Sequence, residues 1–137
     1  MTMTKTLMIV AELAVINWVL IVAASLIKAR AWTSTGMKDA LGNREQAVDC
    51  HGFPARTERA AKNMLENMVL FTALALVASV GGVTDPRVEL GARIFFWARL
   101  AYIPIYMVGI PVARTAVWAI SVIGMGMIVA SIVQALP

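Results

Sequence analysis

The chain has 137 residues, 60% of them hydrophobic and 15% charged, with a formal net charge of +4. Its apolar residues come in long blocks rather than at the spacing of a half-buried surface helix, which excludes an ordinary soluble domain and points to a small integral membrane protein. A single cysteine, Cys50, excludes an intramolecular disulfide and a cysteine-rich metal site, and the lone His51 leaves no partner for zinc, so no metal site is expected.

Four blocks approach the twenty or so residues needed to cross hydrocarbon: 6–28, about 64–82, 88–110 and 114–136. With their flanks they predict helices over about 6–28, 56–82, 86–110 and 113–136. The expected fold is an all-α, four-helix antiparallel membrane bundle forming one domain over 1–137. The first block carries Glu12 and Asn17 and lacks a small-residue cleavage site, so it reads as a retained span rather than a signal peptide. It leaves the membrane through "SLIKARAW", a cationic exit with Trp32 at interfacial depth.

A connection over about 31–55 follows, long enough to be either disordered or a lid. Span 2 is expected to start near Arg56, behind Pro54, and to stop at the glycines 81–82. In "TDPR", Thr84 or Asp85 can cap span 3 and Pro86 suits its first turn. Gly109 and Pro111 mark a short turn into span 4, and short joins make neighbouring helices antiparallel.

Lys28, Arg30, Lys38, Arg44, Arg56 and Arg59 crowd the first connection and Arg114 opens span 4, whereas Lys5, Arg87 and Arg93 belong to the other side. The positive-inside bias puts the first and third connections in the cytoplasm and both termini outside. Membrane topology accounts for these charges without nucleic-acid binding.

Two polar stripes interrupt the apolar spans. In "RTERAAKNMLENMVLF", Arg59, Asn63 and Glu66 lie within roughly 60° of one another on a helix. In "FFWARLAYIPIYMVGI", Arg99, Tyr102 and Tyr106 do the same, ending close to Arg114. Facing lipid would cost on the order of 2.5–3.5 kcal/mol per charge, so these side chains should turn inward or into an aqueous cleft. They could be structural, with Glu66 neutralising Arg59 or Arg99. One carboxylate cannot balance three arginines, however, and surplus cationic donors beside phenols suit an anionic ligand.

These same segments resemble the membrane-associated proteins in eicosanoid and glutathione metabolism (MAPEG). The Arg59, Asn63, Glu66 spacing is similar to that family's second-helix motif. "FWARLAYIPIYMVGIPVARTAVW" is similar to its third and fourth helices, and "LIKAR" to the end of its first. The resemblance implies a homotrimer that binds glutathione, as cosubstrate, between neighbouring subunits near the cytosolic face. It further implies that Arg59, Asn63, Glu66, Arg99, Tyr102 and Tyr106 hold the tripeptide, that Arg30 reaches in from helix 1, and that Arg114, the catalytic residue, sits by the sulfur. The implied activity is that of a transferase or peroxidase attacking an apolar electrophile or lipid hydroperoxide from the bilayer, past Trp97, Trp118 and Phe95 or Phe96.

Asn67 stands where some eicosanoid-pathway members have tyrosine, and Ala31 follows Arg30 where some have a second arginine. The better fit is a bacterial-type member, which implies a bacterial inner membrane. Two alternatives stay open at this point. One is a non-catalytic scaffold or ligand-binding protein of the same shape, and the other a small proton-coupled multidrug transporter using Glu12.

Overall fold

The computed structural model describes residues 3–42 and 50–137. Five helices are present among them: α1 Lys5–Ala29, α2 Ser34–Leu41, α3 Phe53–Val80, α4 Pro86–Val108 and α5 Pro111–Gln134. By length and composition α1, α3 and α5 can each cross a membrane. The similarly long α4 carries Arg87, Glu89, Arg93 and Arg99 and is not among those three.

Helix boundaries follow local chemistry. The Thr4 hydroxyl accepts from the Leu7 N–H to start α1, and the Asp85 carboxylate accepts from the Arg87 N–H to start α4. Helix α3 begins three residues before Arg56, because Pro54 falls inside the first turn, where a missing N–H costs nothing. Pro111 opens α5 in the same manner, after Gly109 has ended α4 with φ of 90°.

The first connection is not simply a loop. Thr33 caps α2 by accepting from the Gly36 N–H at 3.0 Å. At Gly36 a Cβ would lie 2.2 Å from the Ala29 carbonyl oxygen and 2.3 Å from that of Arg30, so α2 folds back onto the end of α1 only with glycine there. Apolar blocks alone do not reveal this helix, since eight mostly polar residues carry no span-like signal. Residues 43–49, including Arg44, lie outside the described residues.

The four long helices pack around one core. Antiparallel α1 and α3 are tied by Lys28 to Glu58 at 2.6 Å near one end and by Thr4 with Ser79 at 3.4 Å near the other. Helix α1 runs parallel to α4, with Lys5 donating to Glu89 at 3.3 Å. Leu13, Met64, Phe71, Phe95 and Ile128 are fully buried, and the Phe71 and Phe95 rings stack at 4.2 Å. Trp18, Val69, Trp97 and Ile123 instead point outward, as a lipid-facing surface requires. Phe95, expected beside a substrate cleft, is therefore a core residue.

At the α3–α4 turn, Arg87 donates twice to the Asp85 carboxylate and also reaches the Gln134 side chain, joining the start of α4 to the end of α5. The Arg87 hydrogen bonds hold the Asp85 carboxyl at about 2, below its ordinary 3.8. A depressed carboxyl contributes stability above its unfolded value and loses it as pH falls through the folded one. Lowering pH from 4 toward 2 should therefore depress the thermal midpoint of the native chain more than that of Asp85→Asn. Parallel melting curves across this interval would remove Asp85 from the acid response.

Candidate functional site

The two polar stripes meet at the end of the bundle that carries the α4–α5 turn. Arg99 is fully buried, and its Nη2 donates to Asn63 Oδ1 at 2.9 Å. Its Nε reaches the Met64 sulfur at 3.3 Å, and its guanidinium carbon lies 4.3 Å from the centre of the Tyr102 ring. Tyr102 packs edge-on against Tyr106 at 5.3 Å, and the Arg114 guanidinium lies 4.9 Å from the Tyr106 ring centre. The result is a continuous row, Asn63, Arg99, Tyr102, Tyr106, Arg114, spanning three helices. It forms because positions 99, 102 and 106 share one face of α4, while α3 and α5 run antiparallel on either side.

Charge balance along the row is one-sided. Among the described residues no carboxylate lies within ion-pair distance of Arg99, Arg59 or Arg114. The described ion pairs join Lys5 and Arg93 to Glu89, Lys28 to Glu58, and Arg87 to Asp85. Structural neutralisation of Arg59 or Arg99 by Glu66 is thus not what the fold uses. Glu66 stays within electrostatic range of the Tyr102 phenol, as do Arg99 and Arg114. Arg99 Nη1 is buried without a hydrogen-bond partner among the described residues.

The expected site residues differ in accessibility. Arg99 and Tyr102 are sealed, Asn63, Tyr106 and Arg114 are half-buried, and Arg30, Arg59 and Glu66 are exposed. Arg99 therefore reaches outward through Asn63 and Tyr102 rather than by open contact. Arg30 is at the end of α1 with φ of 50°, a left-handed conformation unusual for a residue with a side chain, and it terminates the helix there. Next to Arg114 in the chain, Pro111, Val112, Thr115 and Ala116 form an open, exposed and largely apolar surface at the start of α5.

Arg56, which sequence reasoning places only among the charges of the first connection, belongs to this end of the bundle. From α3 it reaches across to α4, its Nε donating to the Met107 carbonyl oxygen at 2.8 Å. Its spacing puts it at the edge of the Arg59, Asn63, Glu66 stripe, seven residues before Asn63 and about 20° from it on the helix, but does not reveal its partner on α4.

A helical bundle with spans of membrane length, an apolar exterior and a buried cationic row defines the class: an integral membrane protein with a polar site inside its helices. The family model for the MAPEG family matches residues 7–134, nearly the whole chain, and the protein belongs to that family. No curated protein matches the chain. Family membership supports a role in glutathione-related or eicosanoid metabolism at the membrane.

Proposed function

We propose that the protein is a glutathione-dependent transferase or peroxidase that stabilises the glutathione thiolate and presents it to an apolar electrophile or lipid hydroperoxide dissolved in the bilayer. The observation that carries this reading is the row of guanidiniums and phenols with no carboxylate at ion-pair distance among the described residues, ending at half-buried Arg114. Glutathione has two carboxylates, an ammonium and a thiol. Planar arginine forks such as those of Arg30 and Arg59 match its carboxylates, and Glu66 matches its ammonium. Half-buried Asn63 and Tyr106 supply hydrogen bonds, with sealed Tyr102 and Arg99 behind them, Arg99 holding Asn63 in place.

Glu66 is exposed at the middle of the 28-residue α3, a position where facing lipid is costly. A second copy and the bound tripeptide would cover it, which supports a homotrimer with glutathione between subunits. In that assembly α4 is the fourth span, with Arg99 turned to the site and Arg87, Glu89 and Arg93 in ion pairs at its opposite end. The positive-inside bias puts this end in the cytoplasm and both termini outside. The family match lends no support to a transporter working through Glu12, which is exposed on α1.

A free thiol with pKa about 8.5 is only a few per cent ionised at pH 7. Arg114 beside the sulfur favours loss of the proton to water. The thiolate then attacks the electrophilic carbon, a C–S bond forms, and the leaving group departs with its electron pair. With a hydroperoxide, the thiolate takes the distal oxygen, releasing the alcohol, and a second glutathione condenses to the disulfide and water. An apolar substrate would approach over the exposed apolar start of α5 beside Arg114.

Arg114→Ala is expected to leave glutathione affinity within about threefold of wild type, while at least about 90% of the bound thiolate absorbance is lost, a pKa rise of about one unit or more. Glu66→Gln should instead weaken binding in isothermal titration. Unchanged absorbance in the first variant would remove Arg114 from the chemistry. Conjugation of glutathione to a generic aryl halide tests turnover, and ionised glutathione without conjugation would identify a non-catalytic ligand-binding scaffold.

A further inference from the structure

Helix α4 lacks one of its own backbone hydrogen bonds just before its last turn. Pro104 lies inside it, so the bond to the Leu100 carbonyl is lost and the ring crowds the preceding turn. The final carbonyls of any helix lack internal partners and carry partial negative charge, and α4 has no basic residue in its last turn to meet them. Arg56 supplies that cation from α3, donating from Nε to the Met107 carbonyl at 2.8 Å. Its side chain also lies across Gly109. A Cβ on that glycine would come within 3.2 Å of the Arg56 Cδ and Nε, so the arginine lies directly against the left-handed turn.

The contact sits between the two halves of the row. Tyr106 immediately precedes Met107, and only Gly109 and Ile110 separate α4 from α5, on which Arg114 is the fourth residue. Displacing the turn by one or two ångströms would change where the Arg114 guanidinium lies relative to the Tyr106 ring, 4.9 Å away.

We propose that Arg56 is a positioning residue that clamps the Pro104-weakened end of α4 and thereby sets the placement of Arg114 against Tyr106. This deepens the proposed function and rests on it for its catalytic consequence, but the clamp itself has a readout that needs no ligand. The test uses the full chain in detergent or lipid, as wild type, Arg56→Gln and Arg56→Lys. Without ligand, amide hydrogen exchange over residues 105–110 should be at least about tenfold faster in Arg56→Gln, while residues 60–75 of α3 keep wild-type protection. Arg56→Lys keeps a cation at the helix end and should restore part of that protection.

With glutathione, the bound thiolate of Arg56→Gln should titrate about one pH unit higher, an up to about tenfold fall in the thiolate-to-thiol ratio at any given pH, with affinity changed less than about threefold. Wild-type exchange at 105–110 in Arg56→Gln would overturn the clamp. A loss of affinity as large as the loss of thiolate would also overturn it, since Arg56 would then be a direct ligand contact. If wild type fails to ionise glutathione, the proposed function falls, and the exchange result still decides the clamp.

Discussion

Replacing Arg99 by methionine is expected to give a protein that is more stable than wild type and binds glutathione more than about tenfold more weakly. Arg99 is fully buried, has no carboxylate at ion-pair distance among the described residues, and leaves Nη1 without a partner. A charge in that condition is a net cost to folding, and exchanging buried ionic groups for well-packed apolar ones has typically been neutral or stabilising by about 1–4 kcal/mol. Methionine fits the same volume with an adaptable chain. Asn63 Oδ1 would not be stranded, because Asn67 Nδ2 lies 3.4 Å away.

Function should move the other way. Without the guanidinium, Asn63 loses its 2.9 Å donor and Tyr102 its cationic neighbour at 4.3 Å, so the row no longer presents a fixed set of donors. Titration should show affinity reduced by more than about tenfold, the equivalent of one charged hydrogen bond, alongside a raised melting temperature. A variant that melts lower and still binds normally would mean that Arg99 is a structural tie and the row has no functional purpose.

Gly124→Ala should cause the largest loss of stability. Gly91 and Gly124 bring α4 and α5 into backbone contact, and a Cβ at 124 would lie 2.6 Å from the Gly91 carbonyl oxygen and 2.9 Å from the Phe95 nitrogen. Neither is a side chain that can rotate away, so the helices must separate and the stacked Phe71 and Phe95 must loosen with them. Overpacking of this kind costs typically about 1–3 kcal/mol, and backbone contact puts Gly124 at the upper end. Gly126, two residues along, has open space for 4 Å around an added Cβ and serves as the matched control. There alanine should be neutral or slightly stabilising through helix propensity. Equal losses at 124 and 126 in thermal melts would contradict the α4–α5 packing.

Part of this is legible in the residues and part is not. Long apolar blocks announce membrane-length helices because lipid tolerates little else, and α1, α3 and α5 carry that signal plainly. Helix periodicity likewise puts Arg99, Tyr102 and Tyr106 on one face, since 3.6 residues per turn is a property of the backbone. "GMGM" suggests close helix packing, but only the fold separates Gly124, pressed against a neighbour, from Gly126, facing outward.

The residues alone thus fix local features: span length, stripe membership, a cap at Thr84 or Asp85, and the first-turn prolines Pro86 and Pro111. The tertiary structure alone decided which stripe residues are sealed and which are open, because burial depends on neighbours far away in the chain. Arg99 is enclosed while Arg59, on an equally polar stripe, is exposed. It also decided the contact of Arg56 with Met107 and the folding back of α2 at Gly36. Both arise where separate segments converge, and no spacing within a single segment encodes such a meeting.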